Sequence, residues 1–119
     1  MLERVQDAHA LALRASGTVM AGDIEAAIAA ALGRSEAATG LVIVIDPDFD
    51  GYFAELARGL TNASLAHKSL VRLAVVTDPE RMDEARVSGF DVSAVPVRLF
   101  DAADQRAALE WVAAARRGE

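Results

Sequence analysis

Residues Leu41-Val42-Ile43-Val44-Ile45 form an unbroken apolar run in which every residue after the leucine is β-branched. β-Branched side chains suit a pleated strand, and a run with no polar alternation has no face to give to water. Such a strand belongs inside a sheet covered on both sides, and the natural covers are helices. Val71 to Val76, interrupted only by Arg72, reads as a second buried strand and is stopped by Asp78-Pro79. Val95 to Phe100 reads as a third, with Pro96 near its start marking a sheet edge or the first residues of a strand.

Between these runs the apolar period changes from continuous to helical. Ile24, Ala27, Ile28, Ala31 and Leu32 fall on one stripe of a helix over Ala21 to Leu32, with Asp23 in its first turn and Gly33 placed to end it. Phe53, Leu56, Ala57, Leu60 and Ala63 mark a second helix. Glu80 to Arg86 accommodates a short third one. Asp101, with Asp104 three residues on, is a weak variant of a capping box opening a fourth, whose apolar face is Ala108, Trp111, Val112 and Ala115. Upstream, Leu2 to Val5 and His9 to Ser16 read as a hairpin across Gln6-Asp7, broken after Ser16 by Gly17. The order β-β-α-β-α-β-α-β-α predicts one α/β domain over residues 1–119, a five-stranded mixed, mainly parallel sheet with four helices.

Composition bounds what such a domain can do. The 119 residues carry 18 acidic against 12 basic side chains, a formal charge of −6. A duplex-binding face needs clustered Lys and Arg, and this field repels phosphate, so nucleic acid is not an expected partner. The absence of cysteine removes disulfides, thiolate metal sites and cysteine nucleophiles together. Leu41 to Ile45 is far too short to cross a bilayer, and Leu2-Glu3-Arg4 is not the opening of a secretory leader. A cytoplasmic location is therefore expected.

Several motifs invite a catalytic or metal reading and fall short of it. Asp46-Pro47-Asp48-Phe49-Asp50-Gly51 matches the first six positions of a calcium loop, yet the twelfth, which must supply a bidentate Glu, is Ala57. A receiver-type phosphoryl site would use Asp46 and Thr77, but the acidic pair expected after the first strand is absent and Leu99-Phe100 offers no lysine. A dehalogenase-type nucleophile meets the same objection, since Lys68 is the only lysine and sits near a helix end. His9 and His67 stand alone, and no glycine-rich phosphate loop or Gly-x-Ser-x-Gly elbow is present. No catalytic residue, metal ligand or cofactor is expected. Asp46, Asp48 and Asp50 are read instead as carboxylates capping the backbone of a strand-to-helix loop. Tyr52 falls off the helical stripe beside Gly51, which marks Asp46, Asp48, Asp50, Gly51 and Tyr52 as an interaction surface.

Ser16-Gly17-Thr18-Val19 leading to Asp23, then Asp48-Phe49-Asp50-Gly51, then Val71-Arg72-Leu73-Ala74-Val75-Val76 with Asp78, then Val97-Arg98-Leu99-Phe100-Asp101 and Ala108-Leu109-Glu110-Trp111-Val112 occur in a familiar order. From about Leu11 to Val112 the chain resembles the SpoIIAA-like family of STAS-type domains. That resemblance implies a small bacterial protein related to anti-sigma-factor antagonists and to lipid-transfer domains of the CRAL-TRIO type. It implies a binding role, with a protein partner or a second copy of the chain. The alternative is an apolar small molecule held between helices and sheet. Antagonists of this kind carry a phosphorylatable serine at the start of the helix after the central strand. Here Asp50-Gly51-Tyr52-Phe53-Ala54 holds that place and no Ser or Thr follows until Thr61.

Overall fold

The computed structural model describes residues 1–5, 10–33, 37–87, 90 and 95–116. The apolar run forms the middle of a five-stranded sheet whose strands are Leu2–Val5 (β1), Leu11–Ala15 (β2), Thr39–Ile45 (β3), Leu70–Thr77 (β4) and Val97–Asp101 (β5). The strands lie side by side in chain order. β1 runs antiparallel to β2, with Leu2 opposite Ala15 and Val5 opposite Ala12. The other pairs are parallel, so that Leu11 meets Leu41, Ile43 meets Val75 and Val75 meets Leu99.

Helices Ala21–Leu32 (α1), Phe53–Ala66 (α2), Met82–Arg86 (α3) and Gln105–Arg116 (α4) cover both faces. On one face Leu13, Leu41, Ile43, Leu73 and Val75 pack under Ile24 and Ile28 of α1, Phe53, Leu56 and Leu60 of α2, and Ala85 of α3. On the other, Val42, Ala74, Val76 and Phe100 pack under Ala108 and Val112 of α4. Trp111 lies at the margin of that second layer, its ring 6.0 Å from Phe100 and 5.1 Å from the Arg72 guanidinium. The double cover is what the unbroken run in β3 requires, since alternate residues point to opposite faces and both must be dry.

Elements and order agree with the expectation from sequence, and the differences sit at boundaries. α1 keeps the expected limits, and Gly33 ends it at φ +54°, its N–H donating to the Ala29 carbonyl at 3.0 Å. β5 begins at Val97, not Val95. The Pro96 carbonyl accepts from Leu73 N–H at 3.0 Å, but proline has no N–H to return, so the two-way ladder starts one residue later. Asp101 closes β5 instead of opening the last helix directly. Its carboxylate accepts from Ala103 N–H at 2.9 Å within a 3₁₀ turn over Ala102–Asp104, and α4 starts at Gln105. The third helical segment likewise begins as a 3₁₀ turn, Pro79–Arg81, before α3. The Gln6-Asp7 turn and His9 lie outside the described residues.

Candidate functional site

In a parallel sheet the loops that leave the C-terminal strand ends meet the N-termini of the helices they feed, and loops held on such a scaffold commonly carry binding residues. Two such loops touch in this chain. The first runs from Ser16 to Met20, between β2 and α1, and the second from Asp46 to Tyr52, between β3 and α2.

The sequence-selected aspartates hold these loops together. Asp46 N–H extends the β2–β3 ladder by donating to the Ala15 carbonyl at 2.9 Å, and the Asp46 carbonyl accepts from Phe49 N–H at 2.9 Å. The Asp46 carboxylate accepts from Asp48 N–H at 3.2 Å. Asp48 reaches across to accept from Gly17 N–H at 3.4 Å, while Asp50 accepts from the Thr18 hydroxyl at 2.7 Å. Asp50 N–H in turn donates to the Gly17 carbonyl at 2.9 Å. Beneath them Phe49 is fully buried, edge-on to Phe53 with ring centroids 5.6 Å apart and under the Arg81 guanidinium at 5.7 Å. An aromatic anchor below and a cross-loop bond above fix the loop from both sides.

Gly51 is the point of closest approach. A Cβ there would lie 3.0 Å from the Phe49 ring and 3.3 Å from the Val19 nitrogen. Tyr52 follows as the residue that precedes α2, and its side chain is 74% exposed. Asp48 and Asp50 are also exposed, whereas Asp46 and Gly51 are half-buried. Of the five expected surface residues, Asp48, Asp50 and Tyr52 are thus the accessible ones.

Three participants were not selected from sequence. Thr18 is joined to Asp50 across 32 positions, a pairing no local pattern announces. Glu55 leaves its own helix to accept from Ala21 N–H, the first residue of α1, at 2.9 Å, and is itself held by Arg58 at 2.9 Å. Met20 precedes α1 as Tyr52 precedes α2, and is 47% exposed. The signal for Met20 was visible as a helix start without a capping side chain.

Ala57, at the twelfth position of the calcium-like loop, is buried within α2 and has no ligand to offer. Among the described residues no group of three or more His, Asp or Glu side chains converges as a metal would require. Thr77 is the last residue of β4 and fully buried, so its hydroxyl is closed to solvent. Lys68 lies beyond the far end of α2, whose 14 residues span about 21 Å at 1.5 Å per residue. His67 ends α2, its N–H donating to the Ala63 carbonyl at 2.9 Å. No described helix is long and apolar enough to cross a membrane.

A family model described as SpoIIAA-like matches residues 10–113, most of the chain and both loops of the site. No curated protein and no solved structure matches.

Proposed function

The chain belongs to the SpoIIAA-like family, and from that premise we propose that it is a non-catalytic binding module whose contact surface is built by Asp46, Asp48, Asp50, Gly51 and Tyr52. The observation that carries this reading is Tyr52, a large aromatic 74% exposed on a loop tied down by Thr18–Asp50 above and Phe49 below. Aromatic side chains on rigid supports are favoured anchors of protein interfaces because little motion is lost on binding. Support for a role without chemistry comes from the carboxylates themselves, whose described partners are N–H and hydroxyl groups of their own loop and of the neighbouring one.

The same placement separates this chain from a serine-switched antagonist. Tyr52, Phe53, Ala54 and Glu55 occupy the start of α2, and the first hydroxyl of Ser or Thr type, Thr61, is half-buried two turns along. Regulation here works without that phosphorylation. The partner is a protein, either a different one or a second copy of the chain. Capture from a host extract on immobilised wild-type protein and on Tyr52→Ala, with native mass spectrometry of the pure protein, tests the proposal. At least one captured protein, or the dimer, should be lost from the variant. Identical captured sets together with an unaltered oligomeric state would sink it.

A second reading has one observation in its favour. A surface groove of about 280 Å³ runs between β1 and α1, lined by Leu2, Leu13, Ala27, Ala30 and Ala31 with Arg4. Small alanine side chains on α1 leave the space, which is at the low end of the volume that holds an organic ligand. A short apolar molecule with an anionic head suits that lining. Organic extraction of purified protein, yielding a stoichiometric lipid or only background, decides it.

A further inference from the structure

Helices α1 and α2 share an anomaly at their starts. The residue before the first helical one ordinarily carries Ser, Thr, Asp or Asn, whose oxygen accepts from an otherwise unbonded N–H. Here those places hold Met20 and Tyr52, both with extended backbone and neither with a side-chain cap bond. Part of the capping is supplied from elsewhere, by Glu55 to Ala21 N–H, and Asp23 accepts from Met20 N–H at 2.9 Å. Two neighbouring helices thus forgo a local stabilising residue in favour of a large exposed apolar one. Departures of this kind from local rules, with no structural return, concentrate at functional surfaces.

The two positions stand on loops that are bonded to each other. The Val19 nitrogen lies against Gly51, Asp50 N–H and the Thr18 hydroxyl bridge the loops, and Ala21 is bonded to Glu55. Met20 and Tyr52 each follow directly from that seam. Around them stand Asp23, Asp48 and Asp50, all exposed and all bonded to neutral donors. Of the ion pairs found among the described residues, Glu55–Arg58 adjoins the seam, whereas Asp83–Arg86 and Arg106–Glu110 lie elsewhere. The cations near this edge are Arg58, paired with Glu55, the Met1 ammonium, which donates to the Ser16 and Thr18 carbonyls, and Arg81 over Phe49. The rim keeps an acidic excess, in keeping with a chain of net charge −6.

Building on the binding-surface reading above, we infer that the partner docks a basic amphipathic segment on this edge. Apolar side chains of the segment cover the Met20–Tyr52 pair, and its Lys or Arg side chains meet Asp23, Asp48 and Asp50. An apolar patch alone would accept any greasy surface; the acidic rim selects the cationic one and repels nucleic acid and anionic lipid. Met20 and Tyr52 act as anchors, and the carboxylates set orientation and salt dependence.

The probe is a labelled amphipathic helical peptide of Leu and Lys, compared with its Leu and Glu counterpart, titrated against the full chain by fluorescence anisotropy. Amide shifts in a ¹⁵N-labelled sample locate the contact. The Lys peptide should bind, with shifts centred on residues 17–24 and 48–56, and should weaken as added salt shortens the screening length below the roughly 8 Å of physiological buffer. Met20→Ser and Tyr52→Ser should each raise the melting temperature by supplying a cap, yet weaken binding by about tenfold, the loss typical of truncating an interface anchor. Equal binding of the Glu peptide, shifts on another face, or unchanged affinity in both serine variants would overturn the inference. If Tyr52→Ala loses its captured partner while the Lys peptide shows no preference, the surface stands and its basic specificity falls. If neither responds, both readings fall.

Discussion

Replacing one glycine by alanine should lower or raise the stability of this fold according to which of two helical positions is changed. Gly59 lies on the buried side of α2, where a Cβ would stand 2.7 Å from Ile24 Cβ, 2.8 Å from the Ala21 carbonyl oxygen and 3.1 Å from Ala21 Cα. These are rigid neighbours, two of them backbone, so the two helices must part. Overpacking of this kind costs about 1–3 kcal/mol, against a helix-propensity gain of about 1 kcal/mol. The net expectation for Gly59→Ala is a loss of up to about 2 kcal/mol, or a fall of up to roughly 10 °C in Tm for a domain of this size. Gly22, near the start of α1, is exposed and has nothing within 4 Å of a built Cβ. Gly22→Ala should therefore stabilise, by at most about 1 kcal/mol, because only the unfolded-state entropy term remains. Urea unfolding with an unchanged m-value, supported by thermal melts, reads both. A Gly59→Ala protein more stable than wild type, or two variants shifted the same way, would refute the argument that the α1–α2 spacing is set by backbone contact. The Gly59 contact with Ala21 also fixes the start of α1 against α2, so on the proposed binding reading Gly59→Ala should weaken partner binding as well.

Two further substitutions test the anchoring of the site and the opposite layer. Phe49→Ala removes a fully buried ring that contacts Phe53, and should cost about 3–5 kcal/mol by equilibrium unfolding, with amide exchange accelerated first along residues 46–52. An exposed-residue effect below about 0.5 kcal/mol would show that the loop is not held from beneath. Gly40→Ala places a Cβ 2.5 Å from Val112 Cβ and 2.6 Å from its carbonyl, and should destabilise by about 1–3 kcal/mol while red-shifting the emission of Trp111 as α4 is pushed outward. Wild-type stability and an unmoved spectrum would contradict that close packing.

What the sequence disclosed was the part of the fold governed by period. The unbroken run in β3, the 3.6-residue stripe of α1 and the glycine at position 33 each follow from a local rule, and each reappears in place. The misplaced boundaries fall where two rules compete. Asp101 has the residue type of a helix cap, but its backbone still belongs to β5 and its carboxylate serves a 3₁₀ turn. Pro96 allows a strand-like chain but withholds the donor that the ladder needs. For the candidate site, the hydrogen-bonding role of the aspartates follows from a local rule, since Asp is a common capping residue of strand-to-helix loops. Thr18 and Glu55 were not legible, since their partners Asp50 and Ala21 stand 32 and 34 positions away and only the parallel β2–β3 pairing brings them close.

The aspartates that suggest metal or phosphoryl chemistry in the sequence act first as structure, and that role bears directly on binding. Parallel strands deliver every crossover helix with its N-terminus at the same edge, where partial positive charge and unbonded N–H groups gather. Acidic side chains at that edge answer a structural need before any functional one, which is why Asp23, Asp46, Asp48, Asp50 and Asp101 all accept backbone or hydroxyl hydrogen bonds. Their hydrogen-bonding capacity is only partly used, and the formal charge of those exposed to solvent remains available. The same bonds freeze the loop, so a partner that closes over Met20 and Tyr52 meets side chains whose backbone is already ordered and loses little further freedom. On the proposed reading the contact needs no reactive group: the carboxylates that bond the two loops also brace the backbone that leads to Met20 and Tyr52.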